Sequence, residues 1–297
     1  MAPERAVAGL EPAQHTVEGE GFEVRRAFPT PRVDAVDPFL LLDHVGPRDY
    51  APGEAKGAPD HPHRGFETVT YIIEGEGEHE DSAGNRGLLR AGDVQWMTAG
   101  SGVVHSEMPS ARIRRHGGRS HFLQLWVNLP AAKKMVPPRY QDVRADEIPT
   151  VSLAYGVSAR VIAGTVAEVT GPVETHSPFL YAHVTASGYA PVRLPVPDDH
   201  EVFAYVLSGA VAVGSAFSPL GDGTLARFTP AREDVSEGAV SDVVLGGAGQ
   251  PGECIVVSGR PLREPVARYG PFVMNTRQQL VEAVEDFRAG RMGHIRR

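Results

Sequence analysis

The sequence predicts an all-β protein made of two related barrels, with a short helix at its carboxy-terminal end. Three observations predict it. Short apolar runs alternate with turn signals along most of the chain, the 33 glycines and 25 prolines are spread rather than clustered, and a weak internal repeat relates the two halves. With 297 residues the chain is long enough for two domains that each bury a core.

In chain order, the run at 68–73 ends in Glu74-Gly75-Glu76-Gly77, which reads as a hairpin turn; with no helix pattern behind it, it is not a nucleotide loop. Leu88-Leu89 is followed by Arg90-Ala91-Gly92-Asp93, and the run at 94–97 leads into Thr98-Ala99-Gly100-Ser101-Gly102. A longer run over 122–129 stops at Pro130. In the repeat, residues 66–75 align with 200–209: Glu67 with Glu201, Tyr71 with Tyr205 and Gly75 with Gly209. Under that alignment His61 and His63 face Pro195 and Pro197, so the second copy lacks those histidines. The joint is expected within 130–149, where Pro137-Pro138 and a charged stretch break the strand pattern; this gives domains over 1–138 and 139–297. The closing helix is announced by a capping box, Thr276 with Gln279, then an apolar stripe of Leu280, Val281, Val284 and Phe287, and Gly290 at the end.

Composition excludes several function classes. Lysine and arginine number 29 against 37 acids, a net charge of −8, and the basic clusters at 112–119 and 291–297 read as a solvated turn and a terminus. No direct nucleic-acid partner is expected, and no apolar run is long enough to cross a membrane. The single cysteine, Cys254, lies in an apolar strand pattern and reads as a small core residue. Met1-Ala2-Pro3-Glu4 has no basic region followed by an apolar stretch, so a cytoplasmic, monomeric protein is expected.

Chemistry concentrates in two short pairs. Strand alternation puts His61 and His63 on one face, and likewise His105 and Glu107. Two such pairs on facing strands supply three nitrogens and one carboxylate, a set suited to iron, manganese, nickel, copper or zinc with positions left open for substrate or O₂. Glu67 shares the parity of His61 and His63 and is the competing carboxylate; we take Glu107 as the ligand and Glu67 as a group orienting a histidine. His79, His116 and His121 lack a partner at ligand spacing and read as surface or supporting groups. Phe66, Trp96 and Met97 could line an aromatic pocket, or could be core.

Three blocks resemble the pirin family: His61-Pro62-His63-Arg64-Gly65-Phe66-Glu67-Thr68-Val69-Thr70-Tyr71, the stretch from Gly92 to Pro109, and the tail from Gly259 to Thr276. The resemblance implies two cupin barrels, jelly-roll-like double-stranded β-helices packed together. It implies iron in the amino-terminal barrel, held by His61, His63, His105 and Glu107, and a metal-free carboxy-terminal barrel. Fe(II) is the first expectation, with Mn, Ni, Co, Cu or Zn also suited. Two functions follow from the resemblance. One is a quercetin 2,3-dioxygenase that cleaves a flavonol with O₂ and releases carbon monoxide, Glu107 accepting the proton. The other is a redox-responsive regulator of a protein partner, a transcription factor or a metabolic enzyme.

Overall fold

Period-two alternation builds the strand Gly118–Asn128. His121, Leu123, Leu125 and Val127 are buried on one face, while Ser120, Phe122, Gln124 and Trp126 line a cavity on the other. The computed structural model describes residues 2–232, 235, 236 and 238–296. Arg297 of the basic tail thus lies outside the described residues. Gly118–Asn128 is central in a seven-stranded sheet ordered Arg139–Val143, Val94–Thr98, Phe66–Glu74, Gly118–Asn128, Phe39–Tyr50, Phe22–Phe28 and Gln14–Glu18. A four-stranded sheet, ordered Ala58–His63, Val103–Pro109, Glu76–Asp81 and Arg86–Arg90, supplies the cavity's other wall.

Glu74-Gly75-Glu76-Gly77 is not a hairpin. Phe66–Glu74 belongs to the seven-stranded sheet and Glu76–Asp81 to the four-stranded one, so the bend carries the chain from one wall of the barrel to the other. Gly75 has φ +87°, and a side chain there would meet the Arg119 carbonyl at 2.2 Å, which is why glycine occupies the corner. The basic cluster at 112–119 also differs from a solvated turn. Ser110 caps a short helix, Ala111–His116, and Arg112 and Arg114 reach Glu76 and Glu78 at 2.7 and 3.1 Å. Those carboxylates neutralise the patch.

This barrel belongs to a compact unit formed by His15–Arg26, Phe39–Ala145 and Arg263–Arg297. The other unit comprises Met1–Gln14, Ala27–Pro38 and Asp146–Leu262. The units interleave along the chain, whereas a single cut between 138 and 139 was expected. In particular, the closing helix belongs to the unit that holds His61, His63 and His105.

The second unit is built on a nine-stranded sheet in which Glu201–Val213 and Val240–Gly259 are the long central strands. Its interior is packed with small aliphatics, among them Val161, Ala182, Val206, Leu245 and Val256. On Pro191–Pro197 the inward positions are Val192, Leu194 and Val196, and Pro195 is exposed. Apolar side chains thus occupy the inward positions of that strand. Cys254 belongs to this core, where burial pushes its thiol up to about 12 and leaves it unreactive at neutral pH.

The helix Arg277–Arg288 forms as expected, with Thr276 and Gln279 closing a reciprocal capping box. Its inner face is Leu280, Ala283 and Val284, packed on Val104, Phe272 and Met292. Val281, placed in the stripe by sequence, is off this face and 44% exposed. Among the described residues no helix is long and apolar enough to cross a membrane.

Candidate metal centre and its pocket

Antiparallel pairing of Ala58–His63 with Val103–Pro109 sets His105 opposite His61 and Val103 opposite His63. The register then slips, so that Glu107 stands opposite Ala58. Alternation plus this register brings three imidazoles together. Their ligand atoms all lie within 4.8 Å of one another, and Nε2 of His61 is 3.1 Å from Nε2 of His63. The His105 ring centroid is 4.4 Å from that of His61 and 4.9 Å from that of His63.

The nitrogens suit a metal ion. Nδ1 of His61 is 2.7 Å from the Pro59 carbonyl, and donation there leaves the Nε2 lone pair facing its neighbours. Burial, with His61 alongside, holds His63 and His105 well below the ordinary imidazole range, so both are neutral donors at physiological pH. His105 is 1% exposed, and neither of its ring nitrogens has a hydrogen-bond partner. A buried polar nitrogen left unpaired costs about 1–3 kcal/mol, a penalty that coordination removes. The three-histidine cluster can therefore hold a metal ion.

Glu107 lies outside this cluster but faces the same cavity. Gln124 Nε2 donates to its Oε2 at 3.1 Å, and Thr70 Oγ1 is 2.8 Å from its Oε1. Thr70 Oγ1 is also 2.6 Å from Gln124 Oε1; having one proton, it donates to one of them at a time. The cavity of about 600 Å³ falls within the range of small-molecule sites. Leu41, Ile72, Phe122 and Trp126 give it apolar walls, and Gln95 and Gln124 give it polar points.

Glu67 is placed elsewhere. Its expected parity with His61 and His63 fails because Arg64 and Gly65, the latter at φ +87°, interrupt the extended chain between the strands. Beyond that break Thr70 and Ile72 line the cavity, so Glu67 shares the opposite face with Val69 and Tyr71. There Thr98 Oγ1 donates to it at 2.6 Å, and burial lifts its carboxyl to about 7. Phe66, Trp96 and Met97 are fully buried and do not line the cavity; Phe66 packs with Leu40 and Val273, and Met97 with Ala99 and Val103.

His79 does line the cavity, with Nε2 3.3 Å from Asp142 Oδ2. His121 is buried against His44, the two Nε2 atoms 2.6 Å apart. His116 lies in the short Ala111–His116 helix. Sequence reasoning overlooked Thr70, Gln124 and Trp126. The signal was present in period two along strands already recognised, since Phe122, Gln124 and Trp126 alternate with apolar core residues.

A family model described as Pirin matches residues 21–127, and one described as Pirin C-terminal cupin domain matches residues 181–293. Human Pirin is 39% identical over 280 residues, covering 94% of this chain and 91% of that one. A solved structure titled as a quercetin 2,3-dioxygenase from Acinetobacter baumannii superposes with a TM-score of 0.89 at 38% identity, covering 99% of this chain and all of the other. A bacterial pirin from Escherichia coli, solved in complex with nickel(II), shares the fold at 19% identity and a TM-score of 0.63, covering 85% of this chain and 99% of that one.

Proposed function

The chain belongs to the pirin family, and from that premise we propose that it is a metal-dependent dioxygenase of the quercetin 2,3-dioxygenase type. In this reading it cleaves a flavonol with O₂ and releases carbon monoxide, in the cytoplasm, at one iron held by His61, His63, His105 and Glu107. The observation that carries the reading is the pair of unpartnered, buried nitrogens of His105 beside two further imidazoles at the end of a ligand-sized cavity.

When bound, the metal supplies Lewis acidity to the flavonol 3-hydroxyl and redox contact with O₂. The protein's own groups do the rest. Glu107 faces the cavity where that hydroxyl would arrive and can accept its proton, while Gln124 and Thr70 hold the carboxylate in place. Trp126 and Phe122 offer flat apolar surface to an aromatic bicyclic ring system. The His61 contact with Pro59 fixes which ring nitrogen faces inward.

The test is metal content by mass spectrometry on untagged protein, joined to anaerobic-then-aerobic quercetin turnover on the same sample. About one metal per chain, with metal-dependent flavonol loss and carbon monoxide release, is expected. One metal without turnover would transfer the assignment to a redox-responsive regulator of a protein partner, and no metal would remove both. His105→Ala should abolish stoichiometric metal while leaving the carboxy-terminal barrel folded by circular dichroism. Loss of metal in Glu67→Gln but not in Glu107→Gln would reverse the choice of carboxylate.

A further inference from the structure

Lys134 is an unusual residue to find 1% exposed. Its ammonium donates to three neutral acceptors from three separate segments: the Gly65 carbonyl at 2.8 Å, Asn128 Oδ1 at 2.6 Å and the Val273 carbonyl at 3.0 Å. All three N–H groups are thereby satisfied. An apolar side chain of the same length would fill the space without the cost of desolvating a charge, so packing alone does not call for an ammonium here.

What the ammonium joins is informative. Gly65 follows His63 by two residues, at the break between the strand of His61 and His63 and the strand of Glu67. Val273 belongs to the carboxy-terminal segment, which runs directly against that break. Arg64 N donates to the Pro271 carbonyl and Val273 N donates to the Arg64 carbonyl at 3.0 Å. The same Pro271 carbonyl lies 3.4 Å from Nδ1 of His63. Gly65 permits the approach, since a side chain there would meet the Val273 carbonyl at 2.0 Å. Farther along the segment, Arg64 pairs with Asp286 of the terminal helix at 2.7 Å and donates to the Ser101 carbonyl at 2.7 Å.

We infer that Lys134 is a positioning residue of the metal centre, clamping the carboxy-terminal segment onto the His63–Gly65 loop so that the Pro271 carbonyl orients the His63 ring. The inference rests on the metal site proposed above. It makes residues 263–296 part of that site, although they follow the second barrel in sequence and supply no ligand. The Arg64–Asp286 ion pair is the outer fastening of the same clamp.

The probe is cobalt(II), with affinity read by chelator competition and geometry by its visible d–d absorption, on the full chain. Lys134→Met should weaken binding by about 10–100-fold, the range for losing a group that orients a ligand, and should change the cobalt spectrum. Metal-free wild type and variant should have the same far-ultraviolet circular dichroism. Asp286→Asn, at a partly exposed position, should weaken binding several-fold, and it carries the test if Lys134→Met does not fold. Wild-type affinity and spectrum in the folded variants would overturn the inference, as would a variant that only melts earlier while its cobalt spectrum is unchanged. A wild-type chain that takes up no cobalt would remove the metal site itself, a result distinguishable from loss of the clamp alone.

Discussion

Burial at Glu67 sets a pH dependence that can be worked out in sign. An unfolded carboxyl titrates near 4.5, while burial lifts this one to about 7 against the opposing hydrogen bond from Thr98. Between those values the folded chain binds more protons than the unfolded chain, so stability falls as pH rises and is level above about 7. The loss is about 3 kcal/mol at roughly 1.4 kcal/mol per pH unit. In Glu67→Gln the amide mimics the protonated acid. Denaturant unfolding from pH 4.5 to 8 should therefore show a shallower decline and greater stability at pH 8 than in wild type. Parallel curves would show that Glu67 is not held protonated. The residue also shows how a parity argument fails: two residues of non-extended chain, Arg64 and Gly65, exchange the faces of everything that follows.

At the scale of elements, the terminal helix was readable in its caps and only partly in its face. The capping box is a local exchange of hydrogen bonds within four residues, so sequence reveals it. Thr276→Ala should cost about 1 kcal/mol, seen as a lower unfolding midpoint, because Gln279 N then loses its acceptor. Which side of the helix is buried depends on what lies under it. Val104, Phe272 and Met292 select Leu280, Ala283 and Val284 and leave Val281 outside. The turn at Gly75 makes the same point for strands. Glycine marks a corner, but whether the chain folds back on its own sheet or passes to another is decided by partners far away in sequence.

For the whole molecule, the metal couples the site to the stability of its barrel. An ion that binds only the folded state stabilises it by about 4 kcal/mol at a free concentration a thousandfold above Kd. Exhaustive chelation should accordingly lower the calorimetric melting temperature by several degrees, and readdition of metal should restore it. An unchanged melting profile would mean that the three histidines hold no ion in the native protein. Sequence by itself determined the all-β class, the doubling of the barrel, the loss of histidines from the second copy and the identity of the three-histidine cluster. Each of these is written in spacing, alternation or local turn chemistry, which act over a few residues. Tertiary structure alone decided that Glu67 faces away, that Gln124 and Thr70 hold Glu107, and that residues 263–296 return to the first barrel. Those outcomes depend on register slips, sheet changes and a buried ammonium linking segments up to 139 residues apart, and no short window of sequence encodes such contacts.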